Sequence, residues 1–250
     1  MEGSYPFSTE PIYRRDTTSP SDKATLDEIT APRHWDSDRF KAVMIATAVL
    51  NNGQAIPAPN RPDSINLASW KPFLEELQQR TINEGRETGR VVLADVERQS
   101  LVMGKSASGE EYHVSVDPTP QPGREHAQRI VAAIHVHPHT TGAAFIGHGF
   151  SAGDYTTFLS NRTAQVALLG YGRDNWVMVL KTSVTPNNLS PEAARERVTA
   201  CIQDVREESA GATNMQKVVA VNKEICSQLG LTMYMANGGD STFQRIEVTN

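Results

Sequence analysis

The stretch A132-AIHVHPHTTGAAFIGHGFSAGD-Y155 holds four of the chain's seven histidines. Its upstream flank, RIVAAIHVHP (129–138), is an apolar run that reads as a strand, and Pro138 ends it because proline brings no N–H to a sheet ladder. On a strand, residues two apart share a face, so His135 and His137 project together from the end of that element. A glycine-bearing loop follows. Ser151 then stands where a helix N-cap belongs, and Asp154 three places on is its capping-box partner near the positive end of the helix. A strand delivering two imidazoles and a helix starting beside it with a carboxylate predict an α/β fold built around this join.

Working outward, the segments on either side alternate between the two periods. Residues 69–85 place Trp70, Phe73, Leu74 and Leu77 at helical spacing, with Gly85 as a stop. GRVVLADVE (89–97), QSLVMGK (99–105) and EYHVSVD (111–117) read as strands, the last two joined by a turn. AQVALLGYG (164–172) and NWVMVLKTS (175–183) form a hairpin. Two amphipathic helices follow over 190–209 and 214–230, and short strands at 231–237 and 243–248 close the chain around Gly238–Asp240. This order predicts a mixed sheet flanked by helices. Residues 1–63 read as a separate N-terminal arm, largely irregular with one short apolar element at 39–50, and the globular body spans 64–250.

Composition narrows the classes of function. With 24 basic against 29 acidic residues and a net charge of −5, the chain has no basic stripe to follow phosphates, so nucleic acid is not an expected partner. Its front apolar run, Ala42 to Leu50, is too short to span a bilayer, which needs about 20 residues, and no membrane partner is expected. No charged-then-apolar leader opens the sequence, and Cys201 and Cys226 lie in helical patterns as reduced, buried thiols rather than a disulfide framework; a cytoplasmic location is the expectation.

The paired histidines carry the chemistry. Neutral imidazole is the commonest nitrogen ligand for zinc, and a catalytic zinc takes three protein ligands with a fourth position for water. His135, His137 and Asp154 satisfy that count. A plain alternative for each stands beside it: solvated histidines at a strand end, and an aspartate that only caps a helix. Hydrolysis also needs a proton acceptor. Glu87, at the lip of the strand after the first body helix, is one candidate, and Glu84 is its nearest rival.

A glutamate, then HxHP, then SxxD resembles the signature of the JAMM (MPN-plus) zinc metalloproteases, bacterial-type members included. The matching residues are Glu87 in ETGRVVL, His135 and His137 in HVHP, and Ser151 and Asp154 in SAGD. The resemblance covers about 65–182, with the later helices and strands completing the domain. It implies a cytidine-deaminase-like MPN fold and a Zn²⁺ ion held by His135, His137 and Asp154. It further implies Glu87 as general base and then acid, and Ser151 as hydrogen-bond donor to the tetrahedral intermediate. The implied reaction is hydrolysis of a peptide or isopeptide bond by a metal-activated water, in a protein or peptide substrate, ubiquitin-like proteins among them.

Two features depart from that pattern. Twelve residues, His139 and His148 among them, separate Pro138 from Ser151, and the arm precedes the core. Two other readings compete. An MPN-type scaffold that binds a partner without catalysis would have lost the ligands that this chain keeps. Other HxH hydrolases and cupins need further ligands downstream, and no histidine occurs after His148.

Overall fold

A computed structural model of the chain describes residues 20–109, 114–116, 119–138, 149–171, 174–186, 189–208 and 214–247. His139 and His148 lie outside the described residues, as does most of the strand expected over 111–117; residues 114–116 form no strand.

The centre is one mixed sheet. β1 (His34–Trp35) and β2 (Ser64–Asn66) are followed by β3 (Thr88–Asp95), β4 (Ser100–Met103) and β5 (Ala107–Ser108). After them come β6 (Gln128–Val136), β7 (Val166–Tyr171), β8 (Asn175–Leu180), β9 (Thr232–Ala236) and β10 (Thr242–Ile246). Their order across the sheet is β1-β2-β10-β9-β8-β7-β6-β3-β4, with β5 also on β3. β6 and β7 run parallel, as do β1 and β2, and the other pairs are antiparallel. A parallel pair needs a crossover, and α4 (Ala152–Ser160) lies in the one between β6 and β7. The helix of the SAGDY segment is thereby carried back along the strand that bears the histidines.

Helices cover both faces, as expected for strands that read as unbroken apolar runs. On one face, α2 (Ser37–Val49) and α3 (Lys71–Glu84) bury Phe40, Val43, Met44, Leu74 and Leu77 against Val92, Val131, Ile134 and Leu168. On the other, α4 packs with α5 (Pro191–Glu208) and α6 (Asn214–Gln228), through Phe158, Val198 and Ile225, against Leu169, Val177, Val179 and Met233. Cys201 and Cys226 are buried in this second layer and are not joined in a disulfide.

The expected arm is corrected over its described part. α1 (Pro20–Thr30) packs on α2, β1 and β2 extend the sheet, and Trp35, Phe40, Ile56 and Ile65 are core residues. β2 pairs with β10, so the front of the chain and its end close the same sheet edge. Strands of two or three residues are too short to show a period of two, which is why this region reads as irregular. The turn expected between the second and third strands of the body is also corrected: Ala107 and Ser108 within it pair with β3. No described helix is long and apolar enough to cross a membrane.

A candidate metal centre

β6 delivers the histidines as its spacing predicts. His135 is paired with Gly89 of β3 on one side and Leu169 of β7 on the other, and the His137 N–H donates to the Gly170 carbonyl at 3.0 Å. Their rings lie 5.0 Å apart between centroids. His137 is 5% exposed, so its imidazole must find partners within the protein.

α4 supplies the carboxylate. The Ser151 hydroxyl accepts the Asp154 N–H at 3.2 Å, and Asp154 Oδ2 accepts the Ser151 N–H at 2.7 Å, a reciprocal capping box. That occupies one carboxylate oxygen. The other, Oδ1, stands 3.4 Å from His135 Nε2. Both readings of Asp154 hold together: the cap fixes the carboxylate, and its free oxygen faces the imidazole. Phe150, just before the cap, packs at a tilt on Tyr155 at 5.4 Å in the position of a hydrophobic staple and also meets the His135 ring at 5.9 Å. An aromatic residue directly before a Ser-x-x-Asp start was the signal that could have found it.

Glu87 is set by the exit from α3. Gly85 ends that helix with φ of 63°, a left-handed conformation open to glycine at little cost. The Thr88 hydroxyl then donates to the Leu77 carbonyl and pins the start of β3 to the helix. Between them Glu87 is buried, with Oε1 3.1 Å from His137 Nε2. Glu84, still on the helix, is exposed and engaged by Arg80 and Ser108. Of the two glutamates, only Glu87 lines the cleft with His135, His137, Ser151 and Asp154.

The electrostatics favour a cation at this point. Burial works against a charge on His135, but Asp154 and Glu87 outweigh it and raise its pKa. Burial likewise opposes ionisation of Asp154, yet the His135 imidazole and the Ser151 N–H hold its carboxyl well below the usual carboxylate range.

The residues also fit a metal ion. His135, His137 and Asp154 each offer one ligand atom, all within 4.8 Å of one another. Zinc bonds of about 2.0–2.1 Å at a tetrahedral angle separate neighbouring ligand atoms by about 3.3 Å, and the His135–Asp154 contact is 3.4 Å. That contact has ion-pair reach without hydrogen-bond alignment, so His135 Nε2 is a buried nitrogen with no hydrogen-bond partner, and His137 Nδ1 is another. Buried polar atoms are rarely left so. A cation coordinated by His135 Nε2 would remove that deficit.

No family model matches the chain, and no curated protein matches it. The five residues therefore rest on their own geometry.

Proposed function

We propose that the chain is a zinc-dependent hydrolase of JAMM type that cuts a peptide or isopeptide bond. The observation carrying this reading is the meeting of three segments distant in sequence. Glu87 at the start of β3, His135 and His137 at the end of β6, and Ser151 and Asp154 at the start of α4 line one cleft. The mixed sheet with helices on both faces suits an MPN-like, cytidine-deaminase-like fold, and the glutamate–HxHP–SxxD order is the one found in that family.

His135, His137 and Asp154 would hold the zinc, which when bound supplies a Lewis acid and brings the pKa of a water toward about 7. Glu87 is the proton carrier: its carboxylate, beside His137, takes a proton from the attacking water and gives it to the leaving nitrogen as the C–N bond breaks. The Ser151 hydroxyl accepts from the Asp154 N–H, so its own O–H is free to donate to the carbonyl oxygen as that oxygen gains charge. The buried His137–Glu87 contact keeps bulk water off the carboxylate that must exchange protons. The reading takes a protein or peptide as substrate.

Metal analysis and peptide cleavage test this together. Purified protein incubated with zinc and desalted is expected to keep about one zinc per chain, and His137→Ala to keep none. Glu87→Gln is expected to keep the zinc while cleavage of a random peptide mixture, read by mass spectrometry, falls by about a hundredfold or more. Wild-type protein that retains no zinc would sink the hydrolase reading and leave a partner-binding scaffold.

A further inference from the structure

The metal row of the sheet is Gly89, His135 and Leu169, side by side on β3, β6 and β7. Two residues back along the same strands, and so about 7 Å away on the same face, the row is Val91, Ala133 and Ala167. Two of its three side chains are cut to a methyl group. Beneath α4 this leaves an apolar end to the cleft that holds His135 and Asp154, a single cavity of about 380 Å³ in all.

Away from the metal ligands its walls are mainly apolar, with Ile130, Ala133, Phe158, Ala164 and Ala167 among them. Asp154 and Phe158 lie one turn apart on α4 and Asn161 caps its end, so the helix that offers the carboxylate in its first turn roofs the cavity with its later ones. Opposite, Val114 and Val116 lie over β3. They can approach because residue 89 is glycine: a Cβ there would stand 2.6 Å from a Val116 methyl and 3.1 Å from a Val114 methyl. The end toward Asp154 carries the buried His135 Nε2, which has no hydrogen-bond partner. Whatever enters this cavity therefore has apolar surface at one end and meets the metal ligands at the other.

We propose that this cavity reads a large apolar side chain, of leucine or phenylalanine size, on the residue next to the bond that is cut. This rests on the hydrolase reading and names its substrate class. A distance of one sheet row suits a side chain one residue from the reacting carbonyl. A diglycine tail, by contrast, would leave the Val91–Ala133–Ala167 row uncovered. The expected substrate is thus a peptide with an apolar residue at the scissile bond, rather than a glycine-ended ubiquitin-like tail.

Amino-acid hydroxamates separate the two readings without any turnover, because the hydroxamate chelates zinc and the side chain beside it samples the cavity. Calorimetry on zinc-loaded protein is expected to show leucine or phenylalanine hydroxamate binding about ten- to a hundredfold tighter than glycine hydroxamate, the gain from burying one such side chain. Ala133 is partly exposed in the cavity floor, so Ala133→Leu should fill it and bring the hydroxamates to within about twofold of one another. Ala133→Val, a smaller intrusion, should reduce the preference part-way. Zinc content serves as the control on each variant. Retained zinc with equal affinity for the glycine and phenylalanine compounds overturns the side-chain proposal alone. Failure of wild-type protein to hold zinc overturns both it and the reading beneath it.

Discussion

Asp154 has two tasks that substitution can separate, because each uses a different atom. Oδ2 closes the capping box, and Oδ1 faces His135. Asp154→Asn keeps an oxygen for the Ser151 N–H and removes the charge that His135 favours; zinc binding is expected to be lost, with some loss of stability without metal. Ser151→Ala does the reverse. It removes the cap acceptor at a cost of about 1 kcal/mol and leaves all three ligands in place, so zinc should still bind. Urea unfolding of the metal-free proteins and metal analysis of the loaded ones check the pair, and zinc kept by Asp154→Asn but lost from Ser151→Ala would mean that Asp154 acts through the cap alone. The two histidines were legible in the sequence because one strand carries both and the period of two needs no tertiary knowledge. Glu87 was not separable from Glu84 on that basis. What separates them is Gly85, whose left-handed turn takes the chain off α3 and buries the second glutamate beside His137 while the first remains on the helix surface.

Among the elements, α2 is the one whose weight in the fold was least visible. It buries Phe40, Val43, Met44, Ile45 and Ala48, but its exposed side holds Ala42 and Val49 beside Asp38 and Lys41, so no clean division into apolar and polar faces marks it out. Its setting among Asn-, Gly- and Pro-rich segments made it read as an isolated patch on an arm. In the structure Phe40 is fully buried and meets Trp70 edge-on at 5.2 Å, joining α2 to the turn that opens α3 and hence to the helix that positions Glu87. Phe40→Ala is expected to destabilise the protein by about 3–5 kcal/mol, as for other large aromatic truncations in a packed core. An irregular, loosely docked segment would give less than about 0.5 kcal/mol, so denaturant unfolding distinguishes the two descriptions. The elements legible from the start were those long enough to show a period: α3, β3, β4, β6, α4, the β7–β8 hairpin, α5, α6, β9 and β10. β1, β2 and β5 were not, since a strand of two or three residues is defined by its neighbours alone.

At the scale of the whole molecule, the β3–β6 pair carries the candidate centre at one end and an ion network at the other. Thr88 and Gly89 are in register with Val136 and His135, and Asp95 with Gln128. At that far end Arg124 holds the buried Asp95 by two nitrogens, at 2.5 and 3.1 Å, and reaches Glu97 at 2.9 Å, while the Gln128 amide also donates to Asp95. Register matters here because a slip of one residue would turn His135 and Ala133 to the opposite face; an ion pair fixed at the other end of the same two strands opposes such a slip. The fork from Arg124 lowers the Asp95 pKa to about 2, against about 4 for a free aspartate. A carboxylate with a folded pKa below its unfolded value adds stability that is complete above about pH 4 and is lost as pH falls through about 2, because in that window the unfolded chain takes up the proton first. Asp95→Asn should therefore be less stable than wild type at pH 6 and should lose less on acidification from pH 4 to pH 2, so that the two stability curves converge. Urea unfolding across that range measures the convergence; curves that stay parallel would show that Asp95 is not the group whose protonation loosens this end of the sheet.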